Sequence, residues 1–188
     1  MKNNKNNKRY IYISVIMVVL IVSVKIGYDY LSNNYDNSTS IREASLNTKA
    51  APDFTVYDKD NNKVNLSDYK GKKAVVINFW ASWCPPCKFE MPHFQEATEK
   101  YNNDDIEILM VNATDGMRET KETAKEYMEN EGYDMNVLFD LDYSAAQSYQ
   151  VSSLPRTVFI DKEGNIAYDH VGLITKTMLN EGIKQLIK

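Results

Sequence analysis

Residues 78–92 have the sequence NFWASWCPPCKFEMP and contain both cysteines of the chain, Cys84 and Cys87, in a C-x-x-C spacing. The residues before them, 74–80, are apolar and rich in β-branched and aromatic side chains, which predicts a buried strand. Residues 88–101 lack glycine and are rich in helix formers, which predicts a helix. The cysteines are therefore expected where a central strand turns into a helix. Unpaired N–H groups and the helix dipole stabilise a thiolate at such a helix N-terminus.

Other roles for the cysteine pair fit the sequence less well. A structural disulfide across this spacing closes a very short loop, so it removes little entropy from the unfolded chain. A structural zinc site needs four ligands, and only His93 and His170 could complete it. Inert core thiols are an alternative, but two prolines and a tryptophan are unusual neighbours for them. The pattern favours a redox-active dithiol.

The motif resembles that of a known family. WCPPC after an NFWA strand resembles the thioredoxin superfamily. CPPC followed by Lys88, Glu90 and Pro92 resembles, more narrowly, the TlpA/ResA-type membrane-anchored thiol–disulfide oxidoreductases. The resemblance covers residues 51–188 and implies an α/β, thioredoxin-like fold. Such a fold has a central mixed β-sheet flanked by helices, an N-terminal β-hairpin and a central strand–helix insertion.

The rest of this region has the pattern of an α/β protein with a mixed sheet. Residues 53–57 and 63–66 flank a polar turn, which predicts the hairpin. Residues 118–139 would form the insertion. Further strands and helices are predicted at 106–111, 118–131, 137–139, 144–150, 166–171 and 175–187.

The N-terminal part of the chain predicts a membrane anchor. Residues 1–9 contain four basic side chains and no acidic one, so they are expected in the cytoplasm. Residues 10–28 are predicted to be a single-pass transmembrane signal anchor that places the catalytic domain outside the cytoplasm. A cleaved signal peptide is the alternative, although no small-x-small site follows. Residues 29–50 are polar and predict a tether, and residues 51–188 form the globular domain.

The charge of the chain argues against nucleic-acid binding. The formal net charge is −4, and the first nine residues contribute +4, which leaves −8 for the remainder. An acidic domain repels the phosphate backbone.

Within the motif, Cys84 is the predicted nucleophile and Cys87 the resolving thiol that releases the reduced substrate. Pro85 and Pro86 contribute structure at the site, because they stiffen the backbone and offer no N–H group to the sulfur. The Cys84–Cys87 disulfide would itself be the redox group, and we expect no further cofactor and no metal.

Glu90 follows Cys87 by three positions, hence on the same helix face. The resemblance implies a carboxyl group held close to the thiols, which would raise thiol pKa values and transfer a proton to or from Cys87. A solvated helix acid is the alternative. Asn78 stands where typical thioredoxins have a buried aspartate, so this chain needs another proton acceptor.

The resemblance also implies that Pro155 is the cis-proline that faces the dithiol. Trp83, Leu154 and Pro155 would then contact the substrate. Arg156 departs from the small threonine or serine common in the family after this proline. It would either favour acidic partners or point to solvent.

The resulting hypothesis is an enzyme that reduces disulfides of exported proteins. The resemblance implies apocytochrome c or an exported reductase, such as a methionine sulfoxide reductase, as substrate. It also implies a membrane electron donor of the CcdA/DsbD type. The alternative is a copper carrier or a non-catalytic binding module that uses the CPPC cysteines, although copper carriers of this fold usually have a C-x-x-x-C spacing. A peroxidase fits poorly, because the Thr-x-x-Cys pattern of peroxiredoxins is missing.

Overall fold

The computed structural model describes residues 16–17, 19–23, 25, 49–101 and 105–187. The chain divides into two units, Met1–Glu43 and Ala44–Lys188. In the first unit the described residues are helical. No helix within the described ranges is long and apolar enough to cross a membrane. The predicted basic N-terminus, most of the predicted anchor at 10–28 and the predicted tether up to residue 48 lie outside the described residues.

One sheet of eight strands organises the second unit. The strands are β1 (Lys49–Ala50), β2 (Thr55–Tyr57), β3 (Lys63–Asn65), β4 (Ala74–Trp80), β5 (Ile106–Asn112), β6 (Val137–Phe139), β7 (Arg156–Ile160) and β8 (Asn165–Val171). Their order across the sheet is β1-β8-β7-β4-β5-β6-β2-β3. Strand β5 is parallel to β4 and β6, and every other pair is antiparallel. The predicted mixed sheet is confirmed.

Helices cover both faces of this sheet. They are α1 (Pro85–Tyr101), α2 (Lys121–Glu131), α3 (Ser144–Ser148) and α4 (Lys176–Leu186). All seven residues of β4 are buried, as expected for a central strand with both faces covered. Because side chains alternate along a strand, Val76 and Trp80 pack in a core with α1, α2 and α4. Val75, Ile77 and Phe79 pack on the other face with α3 and β2.

The two predicted additions to the sheet are both present. Strands β2 and β3 pair as an antiparallel hairpin. The unit formed by α2 and β6 follows β5, and β6 pairs with β5 on one side and with β2 on the other. The α/β architecture with an N-terminal hairpin and a central strand–helix insertion is therefore confirmed.

Several boundaries differ from the sequence analysis, and three of the differences have a clear physical cause. Lys49 and Ala50, predicted as the end of the tether, pair with the edge of β8 and extend the sheet. Helix α1 begins at Pro85 instead of residue 88, because proline suits a first helical turn whose N–H groups have no partner. Helix α2 begins at Lys121 instead of residue 118, because the side chain of Thr120 accepts the N–H of Thr123 and caps it.

Gly182 of α4 lies against Phe159 of the sheet, so a larger side chain at this position should change the stability of the protein. A Cβ atom there would lie 2.4 Å from Cε1 of Phe159. Alanine normally stabilises a helix interior by about 0.5–1 kcal/mol relative to glycine. The close contact with Phe159 therefore decides whether the substitution stabilises or destabilises the protein. We expect Gly182→Ala to lower the free energy of unfolding by about 1–3 kcal/mol, measured by equilibrium urea denaturation.

The matched control is Glu181→Ala, an exposed neighbour in the same helix. It should change the free energy of unfolding by less than about 0.5 kcal/mol. Gly182→Ala should lower the free energy of unfolding less in a Phe159→Leu background than in the parent, because the smaller side chain relieves the close contact. A Gly182→Ala protein as stable as the parent would contradict the packing argument.

Candidate active site

The cysteine pair lies where β4 leads into α1. The N–H of Cys84 donates to the carbonyl oxygen of Ala81 at 3.1 Å, and its own carbonyl accepts the N–H of Lys88 at 3.1 Å. Cys84 Sγ also accepts the N–H of Cys87 at 3.4 Å. Pro85 and Pro86, the exposed first residues of α1, have no N–H group to offer. Cys84 therefore occupies the capping position of the helix.

The two sulfur atoms are joined in a disulfide with an S–S distance of 2.17 Å. The structure is thus that of the oxidised chain. Cys84 is 2% exposed and Cys87 is completely buried. In this oxidised state neither cysteine is freely accessible, and of the two residues only Cys84 retains any exposed surface.

Glu90 is completely buried in α1 on the side of the helix that also buries Cys87. Its carboxylate accepts hydrogen bonds from Nδ2 of Asn78 at 2.7 Å and from the N–H of Ile174 at 2.9 Å. Burial raises the pKa of Glu90 to about 7, and the two hydrogen bonds oppose this shift without cancelling it. The alternative of a solvated surface acid is excluded by this burial.

Asn78 links Glu90 to the neighbouring strand. Its Nδ2 also donates to Oγ1 of Thr157 on β7 at 3.2 Å. Asn78 and Thr157 are cross-strand partners in the β4–β7 register. The Oδ1 atom of Asn78 is buried and has no hydrogen-bond partner among the described residues. Three polar side chains therefore form one buried group beneath α1.

Pro155 lies directly before β7 and follows a cis peptide bond from Leu154. Its carbonyl oxygen accepts the N–H of Gly172 at 2.8 Å. Gly172 lies two residues before Ile174, whose N–H binds Glu90. The cis-proline, the start of α4 and the buried carboxyl group are thus connected through one short segment.

Trp83 lies directly before Cys84 and is 37% exposed. The guanidinium carbon of Arg118 lies 3.5 Å from the centroid of its ring. Trp80, by contrast, is completely buried in the core. The exposed surface directly before Cys84 therefore carries a tryptophan and an arginine together.

Comparison with known proteins agrees with this geometry. Residues 48–169 match the AhpC/TSA family, whose fold is thioredoxin-like. The chain is 33% identical over 181 residues to the thiol-disulfide oxidoreductase ResA of Geobacillus thermodenitrificans, covering 96% of this chain and 95% of that protein. The chain belongs to the ResA-like thiol-disulfide oxidoreductases.

Two further proteins support the assignment. Bacillus subtilis ResA is 32% identical over 177 residues, which cover 94% of this chain and 93% of that protein. The crystal structure of the exposed lipoprotein thioredoxin of Streptococcus pneumoniae superposes with a TM-score of 0.62 at 34% identity. The match covers 71% of this chain and 99% of that chain. This ResA-like protein is therefore an oxidoreductase of thiols and disulfides with a thioredoxin-like fold.

Sequence reasoning missed Glu119, a second buried carboxylate of this ResA-like site. It accepts the N–H of Ser82 at 2.9 Å, Oγ of Ser82 at 2.7 Å and Nδ2 of Asn112 at 2.7 Å. The predicted helix over residues 118–131 placed Glu119 among exposed helix acids. The usable signal was Asn112, a polar residue at the end of a buried strand.

Arg156 follows neither of the two alternatives predicted for it. Its Nε and Nη2 donate to the carboxylate of Asp169 on β8 at 2.9 and 2.5 Å. Its Nη1 donates to the carbonyl oxygen of Tyr149. Arg156 therefore fastens the segment before the cis-proline to the sheet.

His93 contacts the edge of the Phe89 ring in α1, with ring centroids 6.3 Å apart. Within the described ranges, no group of three or more histidine, cysteine, aspartate or glutamate side chains could hold a metal ion.

The raised pKa of Glu90 predicts how stability depends on pH. Between about pH 4.5 and 7 the folded protein keeps this proton while the unfolded chain releases it. Glu90 therefore makes its full contribution to the free energy of unfolding below pH 4.5. This contribution falls by about 3 kcal/mol as the pH rises to 7. Relative to Glu90→Gln, the oxidised parent should lose stability between pH 4.5 and 7.5, measured by urea denaturation.

Comparing the two oxidised proteins isolates Glu90. The thiols do not titrate in the disulfide form. Asp140, whose pKa burial also raises, is common to both proteins and cancels. Parallel pH profiles for parent and variant would show that folding does not raise the pKa of Glu90.

Proposed function

We propose that this ResA-like protein reduces disulfides of exported proteins outside the cytoplasmic membrane, with Cys84 as nucleophile and Cys87 as resolving thiol. The observation that carries the proposal is the cysteine pair at the N-terminus of α1, with Cys84 slightly exposed and Cys87 fully buried. A substrate sulfur can approach only the more accessible of the two. The helix N-terminus stabilises that sulfur as a thiolate.

In the reduced protein, the Cys84 thiolate attacks one sulfur of the substrate disulfide. The substrate S–S bond breaks, and the departing substrate thiolate takes up a proton. The Cys87 thiol then loses its proton and attacks Cys84 Sγ, which releases the second substrate thiol and forms the Cys84–Cys87 disulfide. Two electrons pass to the substrate, and the disulfide is the redox group without a further cofactor.

Glu90 is suited to accept and return the proton of Cys87. A general base works best when its pKa lies near the operating pH, and burial brings the pKa of Glu90 to about 7. It lies one helical turn after Cys87 and on the same buried side of α1. Asn78 holds the carboxyl group in place, whereas Trp83, Leu154 and Pro155 are proposed to contact the substrate.

The partners and the location belong to the same proposal. The oxidised protein must be reduced again, and a membrane electron donor of the CcdA/DsbD type is the donor implied by the family. The substrate would be apocytochrome c or an exported reductase. The basic residues 1–9 and the apolar residues 10–28 support a single-pass anchor with the N-terminus inside.

The proposed roles predict a difference between two serine variants. Cys87→Ser leaves a nucleophile without its resolving thiol, so it should accumulate mixed disulfides with its partners. Cys84→Ser should trap few or none. The measurement is non-reducing electrophoresis of fractionated cells that express the full chain, followed by identification of the trapped proteins by mass spectrometry.

The double variant Cys84→Ser, Cys87→Ser is the matched control for adducts unrelated to the site. The adducts of Cys87→Ser should occur in the membrane fraction and contain exported proteins. Adducts formed by Cys84→Ser instead would reverse the two roles. Adducts with cytoplasmic proteins in the soluble fraction would contradict the location.

The direction of electron flow is tested by the reduction potential of the Cys84–Cys87 couple. We expect a value close to that of thioredoxin, about −270 mV, because a reductant must hold its electrons at low potential. The measurement is equilibration of the purified protein with glutathione or dithiothreitol buffers. A value near about −120 mV would assign the protein as an oxidant instead.

A further inference from the structure

We propose that Arg118, stacked on Trp83 beside Cys84, selects disulfide substrates that carry an acidic side chain next to the reacting cysteine. The inference rests on the proposed function, because it concerns which disulfides Cys84 attacks. It adds a specificity-determining residue that lies on the loop between β5 and α2. It is supported by the stacking on Trp83, by the contacts that hold the loop and by the lack of a direct ion pair at Arg118.

The loop is rigidly folded around Asp115. One oxygen of this side chain, Oδ1, accepts the backbone N–H groups of Met117, Arg118 and Glu119 at 2.8, 2.7 and 2.9 Å. The N–H of Gly116 donates to the carbonyl oxygen of Glu119 at 3.0 Å. The backbone of Arg118 is therefore held from both sides, although its side chain is exposed.

The loop is also fixed to the residues that precede Cys84. The buried carboxylate of Glu119 binds both the N–H and the hydroxyl of Ser82, and it binds the amide of Asn112 at the end of β5. Ser82 and Trp83 directly precede Cys84 in the chain. Arg118 therefore has a defined position relative to Trp83 and to the nucleophile that follows it.

Arg118 makes no direct ion pair in the part of the chain that the structure describes. No carboxylate there lies within ion-pair distance of its guanidinium group. The carboxylate of Asp115 attracts it only from a longer distance, because that side chain is turned to the backbone N–H groups of the loop. Arg156, the other described arginine, is bound to Asp169 and to a backbone carbonyl. Lys88, which directly follows Cys87, has its ammonium group 4.9 Å from the Tyr127 ring centroid. Arg118 is thus an exposed cation without a direct ion pair, stacked on the residue that precedes Cys84.

The chemistry of this group favours a carboxylate. A guanidinium group stacked on an indole ring keeps its N–H donors in the plane and free to bind a partner at its edge. Its fork of donors matches the two oxygens of a carboxylate. Stacking holds the side chain in place before the substrate arrives, so less conformational entropy is lost on binding.

The surrounding charge makes this selection local. The chain outside its first nine residues has a formal charge of −8, which disfavours acidic polypeptides at long range. A carboxylate gains from Arg118 only when it lies close to the disulfide that Cys84 attacks. The loop would therefore select by the position of an acid within the substrate and not by its overall charge.

The test uses the full-length chain, kept reduced by dithiothreitol. The substrates are two disulfide peptides that differ at one residue beside a cysteine, which is Glu in one peptide and Gln in the other. For the parent protein at low ionic strength, kcat/KM should be about two- to fivefold higher for the Glu peptide, the range expected for one exposed ion pair. Arg118→Gln should bring this ratio to about one. Arg118→Lys should retain part of it, because lysine keeps the charge without the fork of donors.

The matched control is Lys162→Gln, which removes a positive charge from the β7–β8 turn at the opposite end of the sheet. The Lys162→Gln protein should show the same ratio of kcat/KM between the two peptides as the parent. In 1 M salt the parent's ratio should approach one, since the screening length falls to about 3 Å.

A parent ratio of one, or a ratio that Arg118→Gln leaves unchanged, would overturn the inference alone. So would an equal loss for both peptides in Arg118→Gln, because that loss would assign Arg118 a role in the folding of the loop. If the parent reduced neither peptide, the proposed reductase function would fail as well. Reduction of the Gln peptide by the parent keeps the two conclusions separate.

Discussion

The position of both sulfurs depends on the burial of β4. This strand is covered on both faces and paired on both edges, so its end at Trp80 has little freedom to move. From there, the hydrogen bond between Cys84 and Ala81 turns the chain into α1. Two prolines follow, and the N–H of Cys87 is the first in the helix that can donate to Cys84 Sγ. The geometry of the dithiol is thus set by a strand that contains neither cysteine.

The buried carboxyl group of Glu90 ties the remaining parts of the site to this junction. It is carried by α1, held by Asn78 of β4, and bound by the backbone of Ile174 just before α4. A carboxyl group removed from water destabilises the fold unless its surroundings compensate. Two hydrogen bonds compensate only in part, as the raised pKa of Glu90 demonstrates. This unfavourable burial, one helical turn after Cys87, is the physical argument behind the proposed role of Glu90 in proton transfer.

Local patterns were sufficient to predict β4, α1, the hairpin and the dithiol, because each depends on residues close together in the chain. The cis bond before Pro155 was implied by family resemblance and is present. Glu119 was missed because its partner Ser82 is 37 positions away, and Asn112, seven positions away, was the one partner that a local pattern could have indicated. Arg156 likewise binds Asp169 across 13 positions, and only the β7–β8 register brings them together. The helix boundary that hid Glu119 depended on a single capping residue, Thr120.

The two buried glutamates of the site differ in the number of donors that reach them. Glu119 receives three hydrogen bonds, two from Ser82 and one from Asn112, and so fixes the segment that leads to Cys84. Glu90 receives two. Each donor to a carboxylate favours its charged form, whereas burial opposes it. At Glu90, burial outweighs the two hydrogen bonds, and its pKa rises to about 7. Glu119 therefore ties the segment before Cys84 to the end of β5, whereas Glu90 is the buried carboxyl group whose pKa lies near neutrality.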